Sequence, residues 1–310
     1  MSDKRNNSLI ASSLLLVVTL WGVNNVGTKW LVSGTVLAWP PVWTGATRFL
    51  VAGLFLLAIL RFTNWLGRSA PLAPGSHRQL WWRGGLSLAV YIIVFSWALR
   101  LTAASHVALY IGTSPIWALL WEERPKMNWS SARRYGAALL AVSGVLVLFW
   151  PVLMAGQHTS LLGELCGLTA SVTWANYNHQ SRILSATIPG LEIAANAMWM
   201  AGAWLLPIGL VEITLHGLVL DASRLGVQSL CILFGGVVPY ALWNSALRHW
   251  RTSQVMLFNN FIPLSTTACA YYVLDEPITS TFCVAMALIV AGVALGQADW
   301  SKILKQPEAC

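Results

Sequence analysis

Long apolar runs separated by short polar loops make up almost the whole chain. A helix that spans a membrane needs about 20 consecutive apolar residues, and ten runs reach or approach that length. The runs show no period-2 alternation, which disfavours a transmembrane β-barrel. The pattern therefore predicts an all-α integral membrane protein with ten transmembrane helices. The predicted spans are 9–29, 40–60, 80–99, 103–121, 135–154, 161–182, 189–211, 227–247, 252–273 and 278–297.

Part of this pattern occurs twice, because residues 98–145 align without a gap with residues 246–293. Apolar residues match often by chance in membrane helices, but Arg, Ser, Pro and Gly in one ungapped register match rarely. The alignment therefore indicates an ancient duplication, which is typical of transporters built from paired repeats. The identical pairs include Arg100 with Arg248, Ser105 with Ser253, Pro115 with Pro263 and Gly144 with Gly292.

Ten spans divide into two repeats of five, and an odd number of spans makes the second repeat start on the opposite side of the membrane. We therefore expect two inverted five-helix repeats that face each other around a central cavity. The chain is predicted to be a single membrane domain, 1–310, with repeat one at about 9–154 and repeat two at about 161–297. Residues 1–8 and 298–310 are predicted to be short cytoplasmic tails.

Composition and charge agree with a membrane location. The chain is 56% apolar and 10% charged, with a mean hydropathy of +0.63, whereas soluble domains have about 25% charged residues. Lys and Arg concentrate in the tails and in the loops on one side, which predicts cytoplasmic N- and C-termini. This bias and anionic lipid head groups explain the net charge of +8, so we expect lipid and small-molecule partners and no nucleic acid.

Motifs of enzymes are missing from the sequence. It contains no HExxH, no GxSxG and no P-loop, and its cysteines do not have the spacing of a metal site. We therefore expect no enzymatic activity, no cofactor and no metal. Small residues in the fifth and tenth spans suit a scaffold or dimer face, so a monomer and a homodimer both remain open.

Two Trp–Asn pairs mark the predicted cavity. A polar side chain within a span is costly unless it faces the interior of the helix bundle. Trp21 and Asn25 are four residues apart, on one face of the first helix, and Trp174 and Asn178 repeat the pair on the sixth helix. Interfacial Trp residues are the alternative, but both Trp residues lie well inside their spans. The pairs therefore predict cavity-lining residues on two equivalent helices.

Other polar and aromatic residues of the spans extend this candidate site. Amides bind carboxylates or ammonium groups, and aromatic rings offer flat faces to apolar or cationic groups. Such a lining suits an amphiphilic solute with an aromatic or aliphatic body and a small polar head. Hydrogen bonding between helices is an equally good explanation for each residue. The additional candidates for substrate binding are Tyr91, His106, Tyr110, Tyr240, Trp243 and Asn259.

Charged residues inside the spans are few. Arg48 is the lone charge within the second span, where it is either an anchor for a substrate carboxylate or a snorkelling side chain with a structural contact. Glu164 and Glu192 lie near the starts of their spans, so the sequence does not indicate a carboxylate proton relay. His106 or His179 could carry a proton, although packed histidines are more common. We therefore expect a uniporter or a weakly coupled proton antiporter, with His106 as the candidate carrier.

Several motifs resemble a known family. The segment Asp275-Glu276-Pro277-Ile278-Thr279 precedes the last helix, where Val290-Ala291-Gly292-Val293 follows. Together with Pro115 and Pro263 and the duplication, it resembles the drug/metabolite transporter superfamily of the EamA type. That family has a Gly-Glu-Pro-like turn, in which Asp275 here replaces Gly, and the corresponding segment of the first repeat, Met127-Asn128-Trp129, lacks the motif.

A narrower resemblance concerns the eighth helix. Ala241-Leu242-Trp243-Asn244 and the Trp-containing first helix look like the YddG-type aromatic amino-acid exporters. The resemblance implies a basket of ten helices that exports small amphiphilic metabolites, above all aromatic or hydrophobic amino acids, by alternating access and without ATP. Transport of nucleobases, sugar conjugates or cationic drugs remains an alternative. A membrane-embedded enzyme that uses His106 and His179 on lipid is a further one.

Overall fold

A computed structural model describes residues 2–33, 38–62, 72–122, 129–155, 158–250 and 252–297. These residues are helical almost throughout, and no strand occurs among them. Each predicted span coincides with a helix or with a broken helix. The helices are α1 (Ser2–Val32), α2 (Pro41–Phe62), α3 (Ser76–Leu101), α4 (Ala104–Gly112 and Ser114–Glu122), α5 (Trp129–Ala155), α6 (His158–Leu184), α7 (Gly190–His216), α8 (Ala222–His249), α9 (Thr252–Met256, Leu257–Phe261 and Ile262–Val273) and α10 (Ser280–Gln297).

Five helices in the described part of the chain are long and apolar enough to cross a membrane, namely α1, α2, α3, α7 and α8. The ten crossings and the inverted orientation of the two halves therefore stay predictions. The first helix begins earlier than expected, because residues 2–8, predicted as a tail, continue α1. The tail predicted at 298–310 and residues 127–128 of the first-repeat turn lie outside the described residues.

The helices α3 and α8, which are the third helices of the two predicted repeats, share an irregularity. Each contains a π-helical turn, Leu80–Leu86 in α3 and Cys231–Val237 in α8. Both turns contain a Gly-Gly pair, at 84–85 and at 235–236. Turns of this kind are rare in helices and occur often at functional sites. Their recurrence at equivalent positions supports the duplication through a feature of the backbone.

The helices α2 and α7 pack against each other through a reciprocal glycine contact. A Cβ atom on Gly53 would lie 2.2 Å from the backbone nitrogen of Trp199, and one on Gly202 would lie 2.5 Å from that of Leu50. The same shift of sequence number converts Gly53 to Gly202 and Leu50 to Trp199. A contact that maps onto itself in this way is expected when two repeats meet across a pseudo-two-fold axis.

Two cations bind backbone carbonyls at the ends of α3 and α8. The Nζ atom of Lys29 on α1 donates to the carbonyl of Thr102 after α3, at 2.7 Å. A guanidinium nitrogen of Arg182 on α6 donates to the carbonyl of Leu247 near the end of α8, at 2.5 Å. Carbonyls at the end of a helix lack partners within the helix and attract cations. In each predicted repeat, the first helix is therefore tied to the end of the third helix.

The turn before α10 explains the motif on which the resemblance rests. Asp275 has a φ of 54°, which is a left-handed conformation that glycine adopts without a steric cost. The carboxylate of Glu276 accepts hydrogen bonds from the backbone nitrogens of Ala104, at 2.8 Å, and Ser105, at 3.2 Å. It thereby caps the start of α4. The turn therefore needs a residue that tolerates positive φ at position 275 and a carboxylate at position 276 to cap α4.

Replacing Asp275 with Gly should therefore stabilise the protein. Relief of the left-handed strain exceeds the added entropy of glycine in the unfolded chain, so we expect the free energy of unfolding to rise by up to about 1 kcal/mol. Asp275→Val should lower it, since a β-branched residue tolerates this φ poorly. Thermal unfolding in detergent checks both changes. A higher midpoint for the valine variant than for the glycine variant would contradict this account.

Candidate functional site

A small cavity lies among α1, α2, α3, α4, α6, α8 and α9. Its volume is about 30 Å³, which is room for about two water molecules. Aromatic rings make up much of its wall, and the polar side-chain groups of the wall are two amides, two indole N–H groups, two phenolic hydroxyls and one guanidinium group. It is lined by Trp21, Asn24, Asn25, Arg48, Phe49, Tyr91, Phe95, Ile111, Trp174, Gly235, Tyr240 and Ile262.

Trp21 and Trp174, the aromatic residues predicted from the two repeats, touch each other in this wall. Their ring centroids are 5.3 Å apart, and the rings are almost perpendicular at 87°. Tyr240 lies 5.5 Å from Trp21, and Tyr91 lies 4.9 Å from Trp174. Trp243 packs 4.9 Å from Trp21 but does not line the cavity. Tilted and edge-to-face contacts at these distances are favourable, so the rings form one connected wall.

The π-helical turn of α8 holds Trp21 in place. The indole nitrogen of Trp21 donates to the carbonyl of Gly235, at 3.1 Å. A Cβ atom on Gly235 would lie 2.0 Å from the side-chain oxygen of Asn24. Only glycine therefore allows α8 to approach α1 this closely. Sequence analysis missed Gly235, although the two Gly-Gly pairs at equivalent positions were a visible signal.

Arg48 is a buried cation in this wall, with 2% of its surface exposed. One guanidinium nitrogen donates to the side-chain oxygens of Asn24, at 3.2 Å, and Thr28, at 2.6 Å. The guanidinium group also lies 5.0 Å from the ring centroid of Phe49. Among the residues that line the cavity there is no carboxylate. Arg48 therefore does not snorkel to the membrane surface, and its charge faces an acid-free wall.

Two hydrogen-bond donors of this wall have no partner among the described residues, namely Nε of Arg48 and the indole nitrogen of Trp174. A buried donor without a partner costs roughly 1–3 kcal/mol, and more when it is charged. The wall therefore has an excess of donors and a positive charge. A ligand that brings acceptors, such as a carboxylate, complements both.

The two asparagines of the predicted pairs have different roles. Asn25 lines the cavity and donates to the hydroxyl of Thr266, at 3.2 Å. Asn178 does not line it. Its nitrogen donates to the carbonyl of Trp174, at 2.7 Å, and its oxygen accepts from the indole of Trp243, at 2.5 Å. Asn178 thus supports the aromatic wall from behind, through hydrogen bonds between and within helices.

Three other predicted residues lie away from the cavity. Asn259 donates to the hydroxyl of Ser114, at 2.9 Å. His106 and Tyr110 both contact the carboxylate of Glu164, at 2.8 Å and 2.5 Å. Glu164 is 1% exposed. The sequence placed this acid near the start of the sixth span, at 161–182, whereas α6 begins earlier, at His158, and buries it. The partner of His106 and Tyr110 was therefore missed.

Residues 161–296 match the EamA-like transporter family. This region is an EamA-family domain of the drug/metabolite transporter superfamily. The EamA domain nearly coincides with the second repeat that the sequence predicts, 161–297. EamA transporters are multi-pass membrane proteins, in agreement with the long apolar helices, and the predicted resemblance is confirmed.

Curated relatives of this chain include two that are named for amino acids. A probable amino-acid metabolite efflux pump of Escherichia coli (strain K12) is 26% identical over 181 residues, which are 54% of this chain and 58% of the pump. A probable terminal-alkyne amino-acid exporter of Streptantibioticus cattleyicolor is 24% identical over 284 residues, 86% of this chain and 92% of the exporter. An uncharacterized transporter of Archaeoglobus fulgidus is 22% identical and covers 87% of this chain and 97% of its own.

A solved crystal structure shares the fold of this chain. The two chains superpose with a TM-score of 0.64 and are 18% identical, and the match covers 94% of this chain and 97% of the other. The likeness therefore extends over both halves of the chain, beyond the EamA domain itself.

Proposed function

We propose that the protein is a secondary transporter that exports aromatic or hydrophobic amino acids across the bacterial inner membrane by alternating access. The observation that carries the proposal is the buried Arg48, which has a spare donor and lies beside an aromatic wall without any acid. An amino acid brings a carboxylate for the guanidinium group and an apolar body for the rings. The names of two relatives support this substrate class.

The charge of the wall discriminates among the alternative substrates. A cation held away from water is costly unless an anion compensates it. Binding a carboxylate at Arg48 lowers this cost, whereas a cationic drug would raise it. Neutral nucleobases lack the charge that complements Arg48. The ammonium group of an amino acid fits the faces of Trp21 and Trp174, whose rings attract cations.

The size of the cavity adds a conformational requirement. Its volume of about 30 Å³ holds about two waters, so it is too small for an amino acid. Substrate binding therefore requires the helices to separate on one side. The π-helical turns of α3 and α8 and the breaks in α4 and α9 are places where such helices can bend. A cavity that must widen to admit its substrate fits an alternating-access cycle.

The rest of the proposal follows the sequence. The termini are cytoplasmic, the partners are the solute and the surrounding lipid, and transport needs no ATP, cofactor or metal. The protein works as a monomer or as a homodimer, without enzymatic activity. The two histidines on which the hypothesis of a membrane-embedded enzyme rests have different neighbours, because His106 contacts Glu164 whereas the ring centroid of His179 lies 6.3 Å from that of Trp121.

Counterflow in proteoliposomes tests the proposed function. Vesicles loaded with unlabelled phenylalanine should take up labelled phenylalanine faster than empty vesicles, with saturation. Tryptophan should compete, and phenethylamine, which lacks the carboxylate, should compete weakly. Saturable exchange of adenine or of a lipophilic cation, with none of any amino acid, would instead support the alternative substrate classes.

A further inference from the structure

A second polar group of the interior remains outside the substrate cavity. We define the Glu164 cluster as Glu164 with its partners Thr102, His106 and Tyr110. The hydroxyl of Thr102 donates to Oε1 of Glu164 and that of Tyr110 to Oε2. Nδ1 of His106 lies 2.8 Å from Oε1. Glu164 is almost fully buried, whereas about a quarter of the His106 side chain is exposed, at 24%. The cluster thus pairs a buried acid with a partly exposed base.

We propose that the Glu164 cluster is the proton-binding site through which a pH gradient drives transport, an inference that rests on the proposed function. The bond between His106 and Glu164 requires a proton on Nδ1 when Glu164 is ionised. The neutral imidazole then leaves Nε2 free to accept one further proton. Uptake of that proton forms one N–H bond at Nε2 and changes the net charge of His106 and Glu164 together from −1 to zero. Histidine is the side chain suited to this exchange near neutral pH.

The charged groups around the cluster have partners of their own. Lys29 on α1 donates to the backbone carbonyl of Thr102. Arg100 on α3 donates to the carbonyl of Val32, at 2.9 Å. Glu276, in the turn before α10, binds backbone nitrogens at the start of α4. On the α10 side, the ring of Phe282 stacks on His106. His106 is therefore the titratable base that contacts Glu164 in the described part of the chain.

The position of the cluster connects it to the substrate cavity. Its residues lie on α4 and α6 and at the end of α3, and each of these helices also supplies a residue to the cavity wall, namely Tyr91, Ile111 and Trp174. The segment Ala104–Gly112 of α4 ends at the helix break near Thr113. A change in the charge that holds this segment to α6 therefore acts on helices that enclose the substrate. For protonation of the cluster to affect the cavity, helices must belong to both sites, and α3, α4 and α6 do.

The predicted orientation places the junction of α3 and α4 on the outer side of the membrane. A proton taken up there and released inside, while an amino acid moves outward, is antiport. Each cycle returns the pair to its starting protonation state, so the protons balance. The pH gradient then supplies the free energy for export against a concentration gradient.

Two readouts in proteoliposomes separate this inference from the proposed function. Phenylalanine counterflow at equal pH reports substrate transport, and accumulation of phenylalanine after an imposed pH step reports coupling. The wild type should show both. Glu164→Gln should keep counterflow and lose accumulation, because the neutral amide no longer retains a proton on His106. Glu212→Gln is the matched control, since it removes another buried carboxylate that caps α2 through Val42 and Trp43, and it should keep both.

Counterflow without pH-driven accumulation in the wild type would overturn the inference and leave the proposed function standing. Accumulation that survives Glu164→Gln would overturn it as well. If the Glu164 variant fails to reconstitute, His106→Gln replaces it, because this change leaves the buried carboxylate with both hydroxyl donors. Loss of accumulation with intact counterflow in His106→Gln supports the inference, and unchanged accumulation refutes it. Absence of amino-acid counterflow in the wild type contradicts the proposed function instead.

Discussion

Replacing Arg48 with Met should weaken the binding of phenylalanine by roughly 10- to 100-fold. A hydrogen bond to a charged group contributes about 1.5–3 kcal/mol, and each 1.4 kcal/mol is about tenfold in affinity. Phenethylamine has the same aromatic body and ammonium group but no carboxylate, so it should bind to the variant at least as well as to the wild type. Inhibition of counterflow by each compound measures both affinities.

Arg48→Lys is the matched control for charge. Lysine keeps the cation but not the planar fork, so its affinity for phenylalanine should fall between the values of the wild type and the methionine variant. Thermal unfolding should be measured alongside, because the change removes the partner of Asn24 and Thr28. An equal loss of affinity for phenylalanine and phenethylamine would show that Arg48 supports the fold and does not contact the carboxylate.

A methyl group on Gly53 should destabilise the protein strongly. The new Cβ atom would lie 2.2 Å from the backbone nitrogen of Trp199, and a backbone atom cannot move aside as a side chain can. Forcing extra atoms into a packed interior costs about 1–3 kcal/mol, or more. Gly53→Ala should therefore lower the midpoint of thermal unfolding, and Gly53→Val should prevent recovery of a monodisperse protein in detergent.

The reciprocal position sharpens this test. Gly202→Ala should have a similar effect, because its Cβ atom would meet the backbone of Leu50 at 2.5 Å. Gly136→Ala in α5 is the control, since no atom lies within 4 Å of its added Cβ, and a helical alanine is favoured over glycine by about 1 kcal/mol. If Gly53→Ala proved as stable as Gly136→Ala, α2 and α7 would not be packed this closely.

The local pattern of the sequence was enough to locate the helices and the centre of the cavity. A long apolar run has few alternatives to a helix in a membrane, because every backbone polar group must be satisfied within the segment. Helical spacing and the duplication then placed Trp21 and Trp174 on equivalent faces, and their rings meet at 5.3 Å. The arginine inside the second span was recognised for the same reason, since an isolated charge in a span needs an interior position.

The partners of the polar residues could not be predicted in the same way. Inside a bilayer, an amide is stabilised equally by a ligand or by another helix, so Asn25 and Asn178 looked alike in the sequence. The structure directs Asn25 to the cavity and Asn178 to Trp243. Gly235 was overlooked because the need for glycine arises from the approach of α8 to α1, which local sequence does not encode.

The sequence by itself determined the helices and the presence of one buried cation, and it predicted the duplication, since each depends on the spacing of residues along the chain. Only the tertiary structure decided which side chains share a site. His106 and Tyr110, predicted as substrate ligands, turn instead to Glu164, which lies more than 50 residues away on α6. Hydrogen bonds between helices depend on how the helices rotate and pack against each other, and that arrangement is a property of the whole bundle.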